Sequence, residues 1–198
     1  MADVSETPSR RIERRSRQRA ANRTAILDAA RRVATREGAG ALSLRATAGE
    51  AGYAPASVYE YFRNRAELVL ALAADDLSQI ARALREHVNG QRGLASAAKT
   101  ALDLIRHSGA LAAAAATLEH DSVTPESERL FTGRLIATLT ALADASGRAP
   151  PKSRDEQADI VLTAASIVGL AVLLRAGRLK ALGFEEQELL ERLQTLFA

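Results

Sequence analysis

Residues 43–68, SLRATAGEAGYAPASVYEYFRNRAEL, constrain this chain more than any other segment. They predict a short helix, a tight turn at Gly52, a second short helix and the start of a long third one. Small residues lie where the first two helices would cross, namely Ala48, Ala51 and Gly52. Arginines flank the unit at Arg45, Arg63 and Arg65. This layout is typical of a helix-turn-helix, whose second helix enters the major groove of DNA.

The composition favours an all-α protein. The 198 residues are 47% hydrophobic and only 4% aromatic, with alanine and leucine dominant. Because these two residues are strong helix formers and β-branched runs are scarce, we predict about nine helices and no strand. The chain contains no cysteine, which excludes disulfides, thiolate zinc sites and cysteine nucleophiles.

The net charge of +3 is unevenly distributed. Residues 1–65 carry 13 arginines, no lysine and 7 acidic residues, whereas residues 66–198 carry 14 basic and 17 acidic residues. A basic N-terminal part on a mildly acidic body fits a protein that presents one end to phosphates.

The pattern divides the chain into three parts. Residues 1–16 are polar and arginine-rich, which predicts a disordered arm; residues 17–65 form the helix-turn-helix domain, and residues 66–198 form a helical body. Local signals set the helix starts: Ser43 as an N-cap, Pro55 at a first helical position, and Asn64 with Glu67 as a capping box. A second capping box, Ser153 with Glu156, opens a long helix over residues 154–176.

The N-terminus lacks the apolar region of a secretory signal. The longest apolar run, residues 160–174, contains Thr163 and Ser166 and falls short of the roughly 20 residues that a membrane span needs. We therefore expect a soluble, cytoplasmic protein.

One set of residues matches a known pattern from the first predicted helix to the fourth. They are Ile26, Ala30, Gly38, Ser43, Arg45, Ala48, Ala51, Gly52, Pro55, Ser57, Val58, Tyr59, Tyr61, Phe62, Asn64 and Leu68. On these residues the segment at 24–68 resembles the DNA-binding domain of the TetR/AcrR family of transcriptional regulators. The resemblance implies that residues 66–198 serve ligand binding and dimerisation.

The chain departs from the family pattern at three positions. Thr47 replaces a large aliphatic residue, so a hydroxyl faces the small core. Ala54 replaces the usual serine cap of the recognition helix, which costs on the order of 1 kcal/mol. Arg65 replaces a lysine and remains a good phosphate partner.

The predicted DNA-binding residues lie in and around the two short helices. They are Ser43, Arg45, Pro55, Ala56, Ser57, Tyr59, Tyr61 and Arg65. The resemblance implies Arg45 as the direct base reader, because a guanidinium matches guanine bidentately, while Tyr59, Tyr61 and Arg65 suit phosphates. Val58 and Phe62 should pack inward. Core filling by the two tyrosines remains the alternative.

Residues 10–23 hold seven arginines and one acidic residue. We predict that part of this segment lies in the minor groove of DNA. The residues proposed for this contact are Arg14, Arg15, Arg17 and Arg19. A solvated tail is the alternative, and it is favoured for the first ten residues.

The long helix at residues 154–176 is apolar on almost every side, so it must be covered on every side. We predict that one side faces the body and another faces a second copy. The predicted interface residues are Ala164, Val168, Ala171, Leu189 and Leu193, which would form the four-helix interface of TetR-like dimers. A fully buried central helix in a monomer is the alternative.

The resemblance also implies a small-molecule effector that enters the body and moves the fourth helix. We place its pocket within residues 94–142, at His107, Phe131 and Leu135. The alternative for the histidines is their position near predicted helix C-termini, where a cation is favoured; it applies to His87, His107 and His120. Because the histidines are scattered, no metal site is predicted.

The chain has no nucleophile elbow, phosphate loop or dinucleotide fingerprint. We therefore predict no catalytic residue, no cofactor and no enzymatic activity. The expected function is a dimeric, ligand-responsive repressor that binds a pseudo-palindromic DNA operator. The alternatives are an activator of the same fold and a non-specific nucleic-acid-binding protein that uses the arginine arm.

Overall fold

The computed structural model describes residues 8–87, 93–117 and 123–197, and within them it contains ten α-helices and no strand. The helices are α1 (Pro8–Glu37), α2 (Leu44–Ala51), α3 (Pro55–Tyr59), α4 (Arg65–His87), α5 (Leu94–Ile105), α6 (Gly109–Thr117), α7 (Pro125–Ala145), α8 (Arg154–Arg175), α9 (Arg178–Ala181) and α10 (Glu186–Phe197). A 3-10 helix at Ala39–Ala41 links α1 to α2. The all-α prediction is confirmed.

Two hydrophobic clusters hold the helices together, and α4 contributes to both. The first cluster joins α1, α2 and α3 to the N-terminal half of α4 and to α6, with Ile26, Val58 and Leu68 fully buried. The second joins the C-terminal half of α4 to α5, α7, α8 and α10 around Leu84 and Leu102. Helix α4 also packs along the length of α7. Because it belongs to both clusters, α4 connects the N-terminal head (residues 8–64) to the rest of the body (residues 65–197).

The predicted helix starts are confirmed by capping hydrogen bonds. The Ser43 hydroxyl accepts from the Ala46 N–H at 3.1 Å, and the Asn64 side chain accepts from the Glu67 N–H at 2.9 Å. Ser153 caps α8 in the same way, with 3.1 Å to the Glu156 N–H. Each bond satisfies one of the N–H groups that a helix start leaves without a partner.

Several boundaries differ from the predictions. Helix α1 begins at Pro8, so the predicted disorder is wrong for residues 8–16, where the helix-favouring arginines and Glu13 continue a helix already nucleated in the core. Helix α9 was not predicted because four residues are too few to carry a helical periodicity. One residue named in the sequence analysis, His120, lies outside the described residues.

One helix among the described residues, α8, is long and apolar enough by length and composition to cross a membrane. The sequence placed this helix at residues 154–176, close to the observed Arg154–Arg175, but only its apolar run at 160–174 was compared with the length of a membrane span. Its inward face packs in the second cluster through Ile167 and Ala171. Only 17% of its most apolar window is buried, so most of its apolar surface is uncovered in a single chain.

Candidate nucleic-acid interface

The turn between α2 and α3 depends on Gly52, which ends α2 in the left-handed conformation at φ +70°. Glycine adopts this conformation without the steric cost that a Cβ would bring. The Tyr53 N–H then donates to the Ala48 carbonyl at 2.9 Å and closes the turn. Ala54 occupies the N-cap of α3 without a side-chain hydrogen bond, as predicted, and Pro55 opens the helix.

Helix α3 has one buried and one exposed side. Val58 is fully buried and Phe62, just beyond the helix, is 3% exposed, so both pack inward as predicted. Tyr59 is 56% exposed. Pro55 and Ala56 are also exposed, while Ser57 is half-buried. The outward side of α3 therefore offers small groups and one aromatic ring, which leaves room for close approach to a groove.

Arg45 lies on α2 and is exposed. Within the described parts of the chain, no hydrogen bond or ion pair involves its side chain. Its guanidinium can therefore make bidentate contacts to an external partner. Ser43 is differently placed, because its hydroxyl already serves as the N-cap of α2.

Tyr61 lies beyond the end of α3 and is half-buried against the first cluster. Its hydroxyl accepts from the Asn22 side-chain amide at 3.2 Å, and the Arg19 guanidinium lies 5.3 Å from the centre of its ring. Arg19 also donates to the Glu60 carbonyl at 3.3 Å. The packing of Tyr61 thus matches the core-filling alternative, and it fixes the end of α3 against α1.

The structure gives Arg65 a role that the sequence did not predict. Its Nε donates to the Leu42 carbonyl at 2.8 Å, and its Nη2 donates to the Ala39 carbonyl at 2.9 Å. These bonds tie the start of α4 to the connection between α1 and α2. The predicted phosphate contact therefore competes with two internal hydrogen bonds.

Ion pairs join α2 to α1 within the head. Glu50 on α2 contacts Arg32 at 2.7 Å and Arg36 at 2.9 Å, both on α1. Hydrogen bonds from Arg32 and Arg36 lower the pKa of Glu50. All three side chains are at the surface, so these pairs position α2 on α1 and contribute little to stability.

The N-terminal segment predicted to enter the minor groove is helical. Arg14, Arg15, Arg17 and Arg19 all lie on α1 and are exposed. A helix with side chains is about 10–12 Å wide, whereas the minor groove is about 6 Å wide. Insertion of this segment into the minor groove is therefore incompatible with the observed conformation.

A polar cluster joins the head to the body. Arg31 on α1 donates from Nη2 to Asp76 at 2.9 Å and to Asp75 at 2.6 Å, both on α4. The Ser108 hydroxyl, between α5 and α6, donates to the second oxygen of Asp76. The Ser108 carbonyl in turn accepts from Arg175 on α8 at 3.2 Å.

The ionisation of this cluster reflects its burial. Desolvation raises the pKa of Asp76, and the hydrogen bonds from Ser108 and Arg31 only partly counter this effect. Desolvation lowers the pKa of Arg31, but its hydrogen bonds to Asp76 and Asp75 outweigh that effect and raise it overall. The arginine is thus held as a cation between two carboxylates.

The three residues predicted to bind a ligand do not come together at the cavity beside His107. His107 borders a cavity of about 120 Å³ beside Arg31, Asp76 and Ser108, and its Nδ1 lies 2.6 Å from the Asp103 carbonyl. Phe131 packs on the first cluster, and Leu135 is 37% exposed. Neither lines the cavity beside His107. Among the described residues, no group of three or more histidine, aspartate or glutamate side chains could hold a metal ion.

The predicted dimer residues fall into two groups. Ala171 and Leu193 are 1% and 5% exposed and lie in the second cluster of the same chain, so their assignment to the interface is wrong. Val168 is exposed, whereas Ala164 and Leu189 are half-buried. The face of α8 that a partner would meet also carries Val161, Leu162, Ala165 and Val172, all exposed.

A two-helix unit with an outward arginine, mounted on an all-helical body, defines a helix-turn-helix protein. A sequence profile described as bacterial regulatory proteins, tetR family, matches residues 26–72. The head of the chain is therefore similar to the DNA-binding domain of the TetR family.

One relative is the HTH-type nicotine-responsive transcriptional repressor HdnoR of Paenarthrobacter nicotinovorans. It is 38% identical over 82 residues, which span 41% of this chain and 42% of the relative. The chain thus aligns with less than half the length of this curated relative.

Solved structures extend the likeness to the whole fold. A TetR transcriptional regulator from Rhodococcus sp. RHA1 has a TM-score of 0.67 at 19% identity, covering 91% of this chain and 97% of that one. FadR from Bacillus subtilis, solved in complex with stearoyl-CoA, has a TM-score of 0.59 at 19% identity, covering 88% and 96%. At this identity the likeness establishes the fold alone.

Proposed function

We propose that this chain is a sequence-specific, DNA-binding transcriptional regulator that acts in the cytoplasm as a ligand-responsive repressor. The main supporting observation is the arrangement of the head. Arg45 and Tyr59 face outward without internal partners among the described residues, while Val58 and Phe62 hold α3 from behind. Such a surface presents a base-reading arginine and a small-residue helix to a major groove.

The operator is proposed to be a pseudo-palindrome bound by a homodimer. One helix-turn-helix buries too little surface for operator-level affinity. The exposed apolar face of α8 supplies a self-complementary surface for a second copy. A two-fold symmetric protein requires a two-fold symmetric site, with half-sites separated by a whole number of helical turns.

The proposed effector is a small molecule that binds the body. HdnoR is named as nicotine-responsive, and the FadR structure contains stearoyl-CoA. These two ligands differ in size and charge, so they support a small-molecule response without giving its chemistry. The role proposed here involves no catalysis and no cofactor.

An activator with the same fold would bind DNA in the same way, and transcription assays with the operator placed upstream or over a promoter separate the two. A non-specific nucleic-acid-binding protein is the other alternative, since the arginine-rich part of α1 attracts any phosphate chain. Selection of binding sites from random duplex DNA tests the proposal against it. We expect enrichment of one inverted repeat, preferred over scrambled sequence by several kcal/mol. No enrichment over the starting pool would refute sequence-specific binding.

Replacement of Arg45 tests its role as the base reader. Arg45→Gln should lower affinity for the selected site by about 1–3 kcal/mol and relax the preference at a single base pair of each half-site. Arg85→Gln, on the exposed side of α4, removes the same charge from the body and should change neither. Unchanged base preference in Arg45→Gln would assign recognition to other residues.

A further inference from the structure

The N-terminal part of α1 stands away from the rest of the molecule. Residues 9–21 are all exposed, although they continue the helix that crosses the head. Where this segment leaves the head, Arg19 contacts the Glu60 carbonyl and the Tyr61 ring. We call residues 8–18 the helical arm.

The arginines of the helical arm share one side of the helix. At about 100° per residue, Arg10, Arg14 and Arg17 form one row and Arg11 with Arg15 forms the next. The opposite side carries short, apolar or acidic residues, namely Ser9, Ile12, Glu13 and Ser16. The arm is therefore a cationic strip with a defined face.

One row of the strip, Arg11 with Arg15, lies in line with the side of α1 that contacts the head. Arg11, Arg15, Arg19 and Asn22 follow one another at spacings of three or four residues, and Ile26 continues the row. Asn22 bonds Tyr61 just beyond α3, and Ile26 is buried in the first cluster, inside the head. Because one helical row shares one direction, Arg11 and Arg15 continue the side of α1 that packs at the end of α3, while the row of Arg10, Arg14 and Arg17 lies about a third of a turn away from it.

Within the arm, repulsion opposes the helix. Arginines four residues apart, such as Arg10 with Arg14 and Arg11 with Arg15, destabilise a helix by a few tenths of a kcal/mol per pair. The single acidic residue of the arm, Glu13, lies 3.9 Å from Arg17 in an exposed pair that contributes little. A polyanion along this face would relieve that repulsion.

We propose that the helical arm binds, as an intact helix, the phosphate backbone of duplex DNA just outside the half-site that α3 reads. The arm joins the head at the end of α3, so a duplex held by α3 passes this edge. Eleven residues of helix extend about 16 Å, which corresponds to roughly five base pairs. Phosphate contacts of this kind set affinity and position without reading sequence. This inference depends on the DNA-binding function proposed above.

The test compares operator probes that differ only in flanking length. Each probe carries the site selected from random DNA, either trimmed to its outer base pairs or extended by ten base pairs of arbitrary sequence on each side. Wild-type protein should bind the extended probe at least about tenfold more tightly near 150 mM salt, with a steeper dependence on salt. Every phosphate interaction that the trimmed probe cannot make should reduce the slope of log K against log salt by about 0.9.

A charge variant locates the effect in the arm. Replacement of Arg10, Arg11, Arg14 and Arg15 by glutamine should abolish the preference for the extended probe and leave binding to the trimmed probe within about threefold, since these contacts lie outside the site. Its matched control replaces four exposed arginines of the body by glutamine, namely Arg82, Arg85, Arg129 and Arg134. The control variant should keep the full preference for the extended probe. Equal loss in both variants would attribute the effect to net charge and overturn the proposal.

A proline variant tests the helix itself. Ser16→Pro interrupts the helix between the arginines at positions 10–15 and the head, but it keeps every arginine. Ser16→Ala keeps both the helix and the charge. We expect Ser16→Pro to lose most of the flank preference and Ser16→Ala to retain it. Equal flank preference in the two would mean that the arm acts as a flexible polycation, which contradicts the proposal. If wild-type protein does not distinguish the selected site from scrambled DNA, the proposed function fails; if it does so but ignores flank length, the arm inference alone fails.

Discussion

The head and the body differ in how completely one chain covers its apolar residues. In the head, the large apolar side chains that remain exposed are Ile12 and Tyr59. In the body, α7, α8 and the C-terminal segment expose many more, including Ile136, Val161, Leu162, Val168, Val172 and Phe184. The head therefore has a complete core with a polar, cationic surface, as a nucleic-acid reader requires. The body of a single chain leaves one apolar face uncovered. Contiguous apolar surface of this kind is typical of an interface.

The two regions also expose different chemistry on their free faces. An open groove of about 600 Å³ borders the exposed side of α8 and is lined by Ile136, Leu139, Pro150, Val161 and other residues of α7, α8 and their connection. Charged groups at this groove are confined to Asp144 and Arg154. The head exposes arginines, which suit the proposed contact with phosphates, whereas the body exposes apolar surface, which suits the proposed contact with a second copy.

The strongest test of this contrast is a charge in the exposed face of α8. Val168→Asp should prevent dimerisation, because an unpaired carboxylate in an apolar interface costs several kcal/mol. Loss of the second head should then lower operator affinity by about a hundredfold or more. Mass measured by light scattering and binding to the selected operator check both effects.

The control for this variant is Arg85→Asp, which places a carboxylate on the exposed side of α4. It should leave the dimer intact. A Val168→Asp protein that remains dimeric would move the interface away from this face of α8, and a monomeric one with undiminished operator affinity would refute the need for two heads.

A smaller effect is expected at the polar cluster that joins the two regions. Asp76→Ala should lower the free energy of unfolding by about 2–3 kcal/mol, because it leaves Arg31 partly buried with one carboxylate fewer. The matched variant Asp75→Ala removes the more exposed carboxylate, whose side chain is 41% exposed against 11% for Asp76. It should cost less than about 1 kcal/mol. Urea denaturation measures both.

The pH dependence of that difference has a definite sign. Burial raises the pKa of Asp76, so the folded protein holds this proton more tightly than the unfolded chain does. The stability that the bound proton contributes is then lost as the pH rises from the ordinary pKa of an aspartate through the raised one. The gap between wild type and Asp76→Ala should narrow from acidic to neutral pH. A gap that widens would mean that pairing with Arg31 outweighs burial.

The contrast between head and body also explains which parts of the structure the sequence predicted. Caps at Ser43, Asn64 and Ser153 depend on residues three positions away, so local sequence identifies them. The inward packing of Val58 and Phe62 follows from their spacing and from the resemblance to a known family. Helix α8 gave no such signal, because a helix that is apolar all round does not reveal which side faces the core. Its core side is set by tertiary packing through Ile160, Thr163, Ile167 and Ala171.

The site predictions divide in the same way. The outward position of Arg45 follows from the helix-turn-helix pattern. The internal bonds of Arg65 and Tyr61 join residues 23 and 39 positions apart in the chain, and no local pattern encodes such pairings. High charge and low hydropathy predict disorder for the first 16 residues. In the structure α1 is nucleated in the core, and its helix continues through the arginines back to Pro8.

The smallest predicted effect concerns a buried hydroxyl group in the head that has no hydrogen-bond partner among the described residues. Thr47 is fully buried, as the sequence predicted, and its hydroxyl has no hydrogen-bond partner among the described residues. Thr47→Val keeps the shape and replaces the hydroxyl by a methyl group, so it removes the cost of a buried, unsatisfied polar group. We expect stabilisation of about 1 kcal/mol in urea denaturation. The control is Thr138→Val, because the Thr138 hydroxyl is buried but bonds the Leu77 carbonyl at 2.9 Å. That variant should be neutral or destabilised, so equal stabilisation of both would mean that hydrophobicity, and not the unsatisfied hydroxyl, determines the gain.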